Sequence, residues 1–117
     1  MELSMEIILH AGDAKRLIYE ALDKAAQTDF TAANILLNSA HEKIKEAHAC
    51  QTKTIQKEAN GAEFKYSVLF SHAQDTMMTI FSEYNMTLKM ITILKDNDQK
   101  IKKLEALINE SSKGISE

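Results

Sequence analysis

The side chains with the clearest chemical potential in this sequence are its four histidines, His10, His41, His48 and His72. An imidazole titrates near neutral pH, so its unprotonated ring can act as a nucleophile while the other ring nitrogen is held by an acceptor. The sequence contains no Gly-rich phosphate loop, no Cys-x-x-Cys, no His-Glu-x-x-His and no glycine-flanked serine. A nucleotide-using enzyme is therefore disfavoured, and histidine chemistry remains as the candidate.

Spacing separates His72 from the other three histidines. His10 stands in Leu-His-Ala-Gly, a context without a polar partner, and a structural role is predicted for it. His41 and His48 are seven residues apart, ~10 Å along a helix, which is too far for both to hold one metal ion. His72 precedes Asp75 by three residues near a predicted helix start, and this spacing brings the two side chains close together. From these residues alone, a surface histidine without a role is as good an interpretation of His72 as a reactive one.

Hydrophobic periodicity predicts an all-α protein. The sequence has no proline and only three glycines, so little interrupts its helical patterning. Three segments carry residues at steps of four and three, the spacing of one helix face. The positions are Ile7, Ala11, Ala14, Ile18, Ala21 and Ala25; then Ala33, Leu37, Ala40, Ile44, Ala47 and Gln51; then Met77, Phe81, Tyr84, Leu88, Ile91 and Leu94. These seams predict an antiparallel three-helix bundle of up-down-up topology.

Local signals predict where the helices begin and end. Thr28 or Asp29 can cap the second helix, because a short side-chain oxygen accepts from the free N–H groups of the first turn. That helix should end near Ala59, since Gly61 can adopt the left-handed conformation that stops a helix. Ser67 is the expected cap of the third helix.

The third helix is too long for a compact domain of this size. Unbroken to Asn109 it would measure about 60 Å. We expect a break or fraying at 96–98, Asp-Asn-Asp, where three poor helix formers cluster. The alternative is a helix that projects beyond its partners and needs another chain to cover the apolar side chains between 101 and 108. Residues 1–110 are expected to form one domain and residues 111–117 a polar tail.

Size and composition set limits on function. A chain of 117 residues has room for one domain, and its small bundle favours a symmetric oligomer that buries more surface. The net charge is -3 with lysines scattered among acidic residues, so nucleic acid is a poor candidate partner. No apolar run approaches the ~20 residues needed to cross a bilayer, and the N-terminus lacks signal-peptide features. With Cys50 as the single cysteine, these features predict a cytoplasmic protein.

Several segments resemble the IIA proteins of the lactose/cellobiose class of the sugar phosphotransferase system. Residues 71–79, Ser-His-Ala-Gln-Asp-Thr-Met-Met-Thr, look like that family's phosphorylation motif, a His-x-Gln-Asp sequence that opens the third helix. Residues 11–15 and 46–52 are similar as well. The likeness spans roughly residues 5 to 95, in order and without large gaps.

The resemblance implies a phosphocarrier that assembles as a homotrimer of three-helix subunits. His72 would accept a phosphoryl group from the phosphocarrier protein HPr and pass it to a cysteine of a IIB partner, during sugar uptake through the membrane component IIC. Gln74 would support the site. Asp75 would meet its two symmetry mates around a divalent cation, usually taken to be Mg²⁺, because three adjacent carboxylates repel one another unless a hard cation supplies compensating charge.

The sequence also departs from the family pattern. The family commonly has a second histidine where this chain has Thr76, and the chain continues past the usual family end after about Lys100. Cys50 is not the relay cysteine, which belongs to IIB, and is expected to be a small buried residue.

The main alternative is a non-enzymatic helical module that binds a partner through its apolar seam, with His72 incidental. A sensor-type histidine phosphotransfer domain is a third possibility.

Overall fold

Three α-helices make up the described part of the chain. A computed structural model describes residues 2–59 and 68–116, and the side chains of 3–57 and 68–114. The helices are α1 (Glu2–Ala26), α2 (Phe30–Ala59) and α3 (Val68–Ser116), and no strand occurs within the described ranges. The all-α prediction is confirmed within these ranges, and α2 is helical as far as Ala59, the last described residue before the gap. The predicted stop at Gly61 and cap at Ser67 lie outside the described residues.

A tight turn joins α1 to α2. The Ala32 N–H donates to Asp29 Oδ1 at 3.1 Å, so Asp29 caps α2 as one of the two predicted candidates. On the other side, the Asp29 N–H donates to Lys24 O and the Thr28 N–H to Ala25 O, both at 2.9 Å. This pair of hydrogen bonds closes a Schellman motif, which places Thr28 at φ 62°, a position that usually holds glycine. Backbone bonds therefore fix how α2 leaves α1.

The first two helices bury the seams that periodicity predicted, with one exception. All six predicted positions of α1 and the first five of α2 are buried. Gln51, the sixth position of α2, is half-buried, and Cys50 takes its place in the core. Most of these core residues are alanines, whose small side chains allow the two helices to approach closely.

Side chains from all three helices meet in three clusters along the bundle. One cluster contains Ile7 of α1, Ala47 and Cys50 of α2, and Ala73 and Met77 of α3. The next contains Ala11, Ala14, Ile18, Ala40, Ile44 and Ile80. The third contains Ala21, Ala25, Ala33, Leu37 and Ile91. The clusters hold the start of α3 against the start of α1, which is where His72 lies.

The buried face of α3 differs in part from the predicted one. Met77 and Ile91 are buried as expected, but Phe81, Leu88 and Leu94 are exposed. Ile80 and Thr87, which adjoin Phe81 and Leu88, are buried instead, and Ala73 is a further buried position of α3. Apolar residues stand side by side in this part of the sequence, so two overlapping faces have helical spacing, and packing against α1 selects one of them.

The expectation of a break at 96–98 was wrong. α3 runs without interruption for 49 residues, about 74 Å at 1.5 Å per residue, and the described chain is 83 Å long. Asp and Asn each cost less than ~1 kcal/mol relative to alanine in a helix interior. Asp98 Oδ2 also lies 3.1 Å from Lys102 Nζ, one turn ahead, which supports the helix at this point.

The alternative, a helix that projects beyond its partners, is what the structure shows. Ile91 is the last buried residue of α3 among the described side chains, and every described side chain from Gln99 onward is exposed. Residues 111–116 continue the same helix, so no helix end marks residue 110. The division into a domain and a polar tail stays a prediction.

Candidate functional site

His72 lies near the start of α3 on an open pocket between α1 and α3. It is the fifth residue of the helix and its side chain is exposed. The pocket has a volume of about 350 Å³. Its lining residues are Ala11, Gly12 and Lys15 of α1, and His72, Asp75, Thr76, Thr79 and Ile80 of α3. The pocket therefore brings together an imidazole, a carboxylate and an ammonium group.

The core explains why His72 faces this pocket. Ala73, the next residue, has 0% of its surface exposed and packs in the cluster with Ile7 and Ala47. Successive side chains on a helix are about 100° apart, so burying Ala73 directs His72 away from the cluster. Asp75 follows one turn later and shares the pocket, as its spacing predicted.

Thr76 occupies the position where the resemblance led us to look for a second histidine. Its Oγ1 donates a hydrogen bond of 2.8 Å to the backbone carbonyl of His72. A threonine that bonds to the carbonyl four residues earlier uses its hydroxyl within the helix. Thr76 thus supports the backbone at His72 and contributes no second imidazole to the pocket.

Lys15 is the pocket residue that sequence reasoning missed. No feature of the sequence by itself assigned it a role, yet it lines the pocket opposite α3. Its Nζ lies 5.5 Å from the ring centroid of Tyr19, which draws the side chain along α1. The signal that could have found it is the stretch 11–15, which resembles the family and ends at this lysine.

Gln74 and Asp75 lie on different sides of α3. Gln74 is half-buried and is not among the described residues that line the pocket, whereas Asp75 is exposed and does line it. Across 2–59 and 68–116, no group of three or more His, Cys, Asp or Glu side chains could hold a metal ion. A cation at Asp75 would therefore need ligands from outside these described residues.

The other histidines occupy separate environments. His10 Nδ1 lies 3.0 Å from Glu46 Oε2, an ion-pair distance for a protonated ring although the contact lacks hydrogen-bond geometry. The expectation that His10 has no partner was wrong, because Glu46 is remote in sequence. The His41 ring lies 5.6 Å from the Tyr84 ring. His48 is exposed, and with His41 it lines an apolar groove of about 490 Å³ between α2 and α3.

Cys50 is buried in the first cluster, as predicted. Its Sγ donates to Glu6 Oε2 at 3.3 Å, a contact that sequence reasoning did not include. Burial, and after it the hydrogen bond to the Glu6 carboxylate, raise the pKa of the Cys50 thiol. The thiol is thereby kept in its neutral form, unlike a nucleophilic cysteine.

The fold and the pocket define the class: a helical protein that presents an exposed histidine, beside a lysine and a carboxylate, at the start of its third helix. Among the helices of the described ranges, none combines the length and apolar character required to cross a membrane.

Comparison with known proteins identifies the family. Residues 2–95 match the family described as "PTS system, Lactose/Cellobiose specific IIA subunit". The lactose-specific EIIA component of the phosphotransferase system of Lacticaseibacillus casei is 39% identical over 107 residues, 89% of this chain and 92% of that protein. The N,N'-diacetylchitobiose-specific EIIA component of Escherichia coli K12 is 36% identical over 101 residues, 86% of this chain and 84% of that protein. This chain belongs to the lactose/cellobiose-specific IIA family.

Solved structures support the same conclusion. The cellobiose-specific enzyme IIA of Bacillus anthracis superimposes with a TM-score of 0.80 at 34% identity, over 85% of this chain and 91% of that one. A IIA(Chitobiose) chain, solved in solution in complex with HPr, gives a TM-score of 0.74 at 31% identity, over 83% of this chain and 94% of that one.

The raised pKa of the Cys50 thiol predicts slow alkylation. At mildly alkaline pH, iodoacetamide should modify Cys50 in the native protein roughly tenfold or more slowly than Cys50 in the urea-unfolded chain. The reason is that burial disfavours the reactive thiolate form. The rate follows from mass spectrometry of quenched samples. As a control, the double variant Cys50→Ala, Ala49→Cys moves the thiol to the exposed neighbouring position and should react at the unfolded rate. Equal rates for the two native proteins would contradict the buried thiol.

Proposed function

We propose that this chain is the IIA phosphocarrier of a sugar phosphotransferase system for lactose/cellobiose-type sugars, with His72 as the residue that carries the phosphoryl group. The observation that carries the proposal is the exposure of His72 in a pocket shared with Lys15, in a chain of this family. HPr is the proposed donor, supported by the related IIA(Chitobiose) chain that forms a complex with HPr. A cysteine of a IIB protein is the proposed acceptor.

Each transfer exchanges one bond to phosphorus for another. The unprotonated ring nitrogen of His72 attacks the phosphorus in line, and the donor leaves with the electron pair of its own bond to phosphorus. In the second transfer a thiolate of IIB attacks, and the bond from phosphorus to His72 breaks. Such transition states are loose, so the protein contributes chiefly alignment and charge stabilisation. An open, exposed site is sufficient for this chemistry.

The charges around His72 suit a phosphoryl group. The Lys15 ammonium lies on the same pocket and can offset negative charge on the equatorial phosphoryl oxygens. The N-terminal turns of α3 add a positive dipole end, which favours a phosphate near residue 72. Asp75 has the opposite effect, since its carboxylate repels the incoming group unless its charge is balanced.

Exposed apolar side chains around the pocket offer a docking surface for both partners. Val68 is one turn before His72 on α3, and Leu9 is three residues before Gly12 on α1; both are exposed. Donor and acceptor would bind this area in turn, through contacts that are small and transient. We place the protein in the cytoplasm, where it would serve a membrane-embedded IIC transporter through IIB.

The proposed assembly is a homotrimer of up-down-up subunits, with three Asp75 side chains around a Mg²⁺ ion on the symmetry axis. Asp75 fits this role because it is exposed, supplies the hard oxygen donors that Mg²⁺ prefers, and lacks further ligands within the described chain. The cation would be structural and would offset the repulsion among three carboxylates. Gln74 is proposed to support this end of α3 from its half-buried position.

Phosphorylated HPr should label the wild-type chain, and His72→Gln should abolish incorporation because glutamine cannot form the phosphoramidate. His48→Gln, which alters another exposed histidine, is the control and should label like wild type. Incorporation is read from radiolabelled phosphate on the chain. Full labelling of His72→Gln would show that His72 is not the residue that carries the phosphoryl group. No labelling of a folded wild-type chain would instead favour the non-enzymatic interaction module.

Lys15→Gln should slow phosphate incorporation by roughly tenfold, because a cation beside the equatorial oxygens is lost from an exposed, partly screened site. The initial rate is measured by rapid quench with limiting donor. Arg16→Gln removes the adjacent exposed cation, which does not line the pocket, and should leave the rate unchanged. Equal rates for the two variants would remove Lys15 from the proposal.

Asp75→Leu should leave a trimer whose thermal stability no longer responds to EDTA or added Mg²⁺, since both the repulsion and the cation site are removed. Wild type, and Asp13→Leu as a surface-carboxylate control, should lose thermal stability on chelation. Oligomeric state is followed by light scattering in the same buffers. A cation response that persists in Asp75→Leu would count against this metal site.

A further inference from the structure

Gly12 stands well inside α1, at a position where the fold itself does not require a glycine. Glycine is, after proline, the least favourable residue in a helix interior. The backbone of Gly12 is helical, without the left-handed conformation that favours glycine. A Cβ added there would have no heavy atom of the described chain within 4 Å, beyond the adjoining residues and the local helix backbone. Alanine would therefore fit at this position and would favour the helix.

Gly12 borders the pocket that contains His72. The α1 side of this pocket is formed by Ala11, Gly12 and Lys15. Ala11 is buried in the core, whereas Gly12 and Lys15 are exposed. The bare backbone at Gly12 is therefore the part of α1 that a group entering the pocket can approach most closely.

The two long side chains one turn further along α1 leave Gly12 uncovered. Side chains on a helix normally lean toward its N-terminus, so Lys15 and Arg16 would be expected to lie over a residue three or four positions earlier. Lys15 Nζ lies instead 5.5 Å from the ring centroid of Tyr19, and Arg16 Nη1 lies 3.1 Å from Glu20 Oε1. Both contacts draw the cations toward the C-terminal end of α1. The surface at Gly12 thus stays open to an incoming molecule.

We propose that Gly12 is the point at which phosphorylated HPr packs directly on the backbone of α1 while its phosphoryl-bearing side chain enters the pocket. This inference rests on the proposed phosphocarrier function and gives Gly12 a positioning role in it. In-line transfer aligns the donor atom, the phosphorus and a ring nitrogen of His72, so part of the donor must come close to α1. The missing Cβ permits that approach, and a larger residue would hold the donor back.

The surroundings of Gly12 favour a protein as the molecule that packs there. The pocket has a volume of about 350 Å³, which is more than a phosphoryl group alone requires. Leu9 lies three residues before Gly12 on the same side of α1, and 62% of its surface is exposed. An apolar side chain beside a bare stretch of backbone suits contact with another protein, whereas free phosphate gains nothing from apolar surface.

Substitution at position 12 should move stability and phosphate transfer in opposite directions. Gly12→Ala should raise the midpoint of thermal unfolding by a few degrees, because alanine favours the helix and meets no clash. With limiting phosphorylated HPr, Gly12→Ala should slow phosphate incorporation roughly tenfold and Gly12→Leu roughly a hundredfold, since a displacement of ~1 Å between reacting groups can cost about that much. Diethyl pyrocarbonate is a small reagent that needs no donor protein, so it should modify His72 at the wild-type rate in both variants.

Gly114→Ala and Gly114→Leu are the matched controls. Gly114 is an exposed glycine of α3, about 60 Å along the helix from His72, and a Cβ added there also meets nothing within 4 Å. Both control variants should be labelled at the wild-type rate.

The outcomes separate this inference from the proposed function. If wild type is labelled and both Gly12 variants match its rate, or if Gly12→Ala lowers the thermal midpoint, the role of Gly12 is overturned and the phosphocarrier proposal stands. Equal slowing by diethyl pyrocarbonate, or a change of molecular mass in light scattering, would also overturn it, because the substitution would then act on the imidazole or on a contact between copies. A folded wild-type chain that is never labelled would overturn the proposed function and the role of Gly12 together.

Discussion

The rotation of α3 about its own axis is the constraint on which the site depends. Ala73, Met77 and Ile80 are buried against α1 and α2, and this fixes the direction of every other side chain on the helix. With Ala73 in the core, His72 must face outward beside α1. The small residues of the α1 seam strengthen the constraint, because close packing leaves little room for α3 to turn. The proposed site for phosphoryl transfer is thus positioned by a core whose residues Ala11 and Ile80 also line the pocket.

How far the sequence alone predicts this structure depends on how unique each pattern is. The α1 seam could be predicted directly, because charged residues stand between most of its buried positions. The Asp29 cap followed from local chemistry. On α3, apolar residues at both 80 and 81 gave two possible faces, and only packing against α1 chooses between them. The predicted break at 96–98 failed because helix propensities are small and no proline or glycine stands there to reinforce them.

The candidate site likewise combines contacts that follow from spacing within one helix with contacts that depend on how the helices pack. The pairing of His72 with Asp75 follows from helical spacing, whereas the approach of Lys15 depends on how α1 packs against α3. The 3.0 Å contact between His10 Nδ1 and Glu46 Oε2 and the hydrogen bond from Cys50 to Glu6 also join α1 to α2. Contacts of this kind between helices cannot be predicted from the hydrophobic periodicity of a single helix.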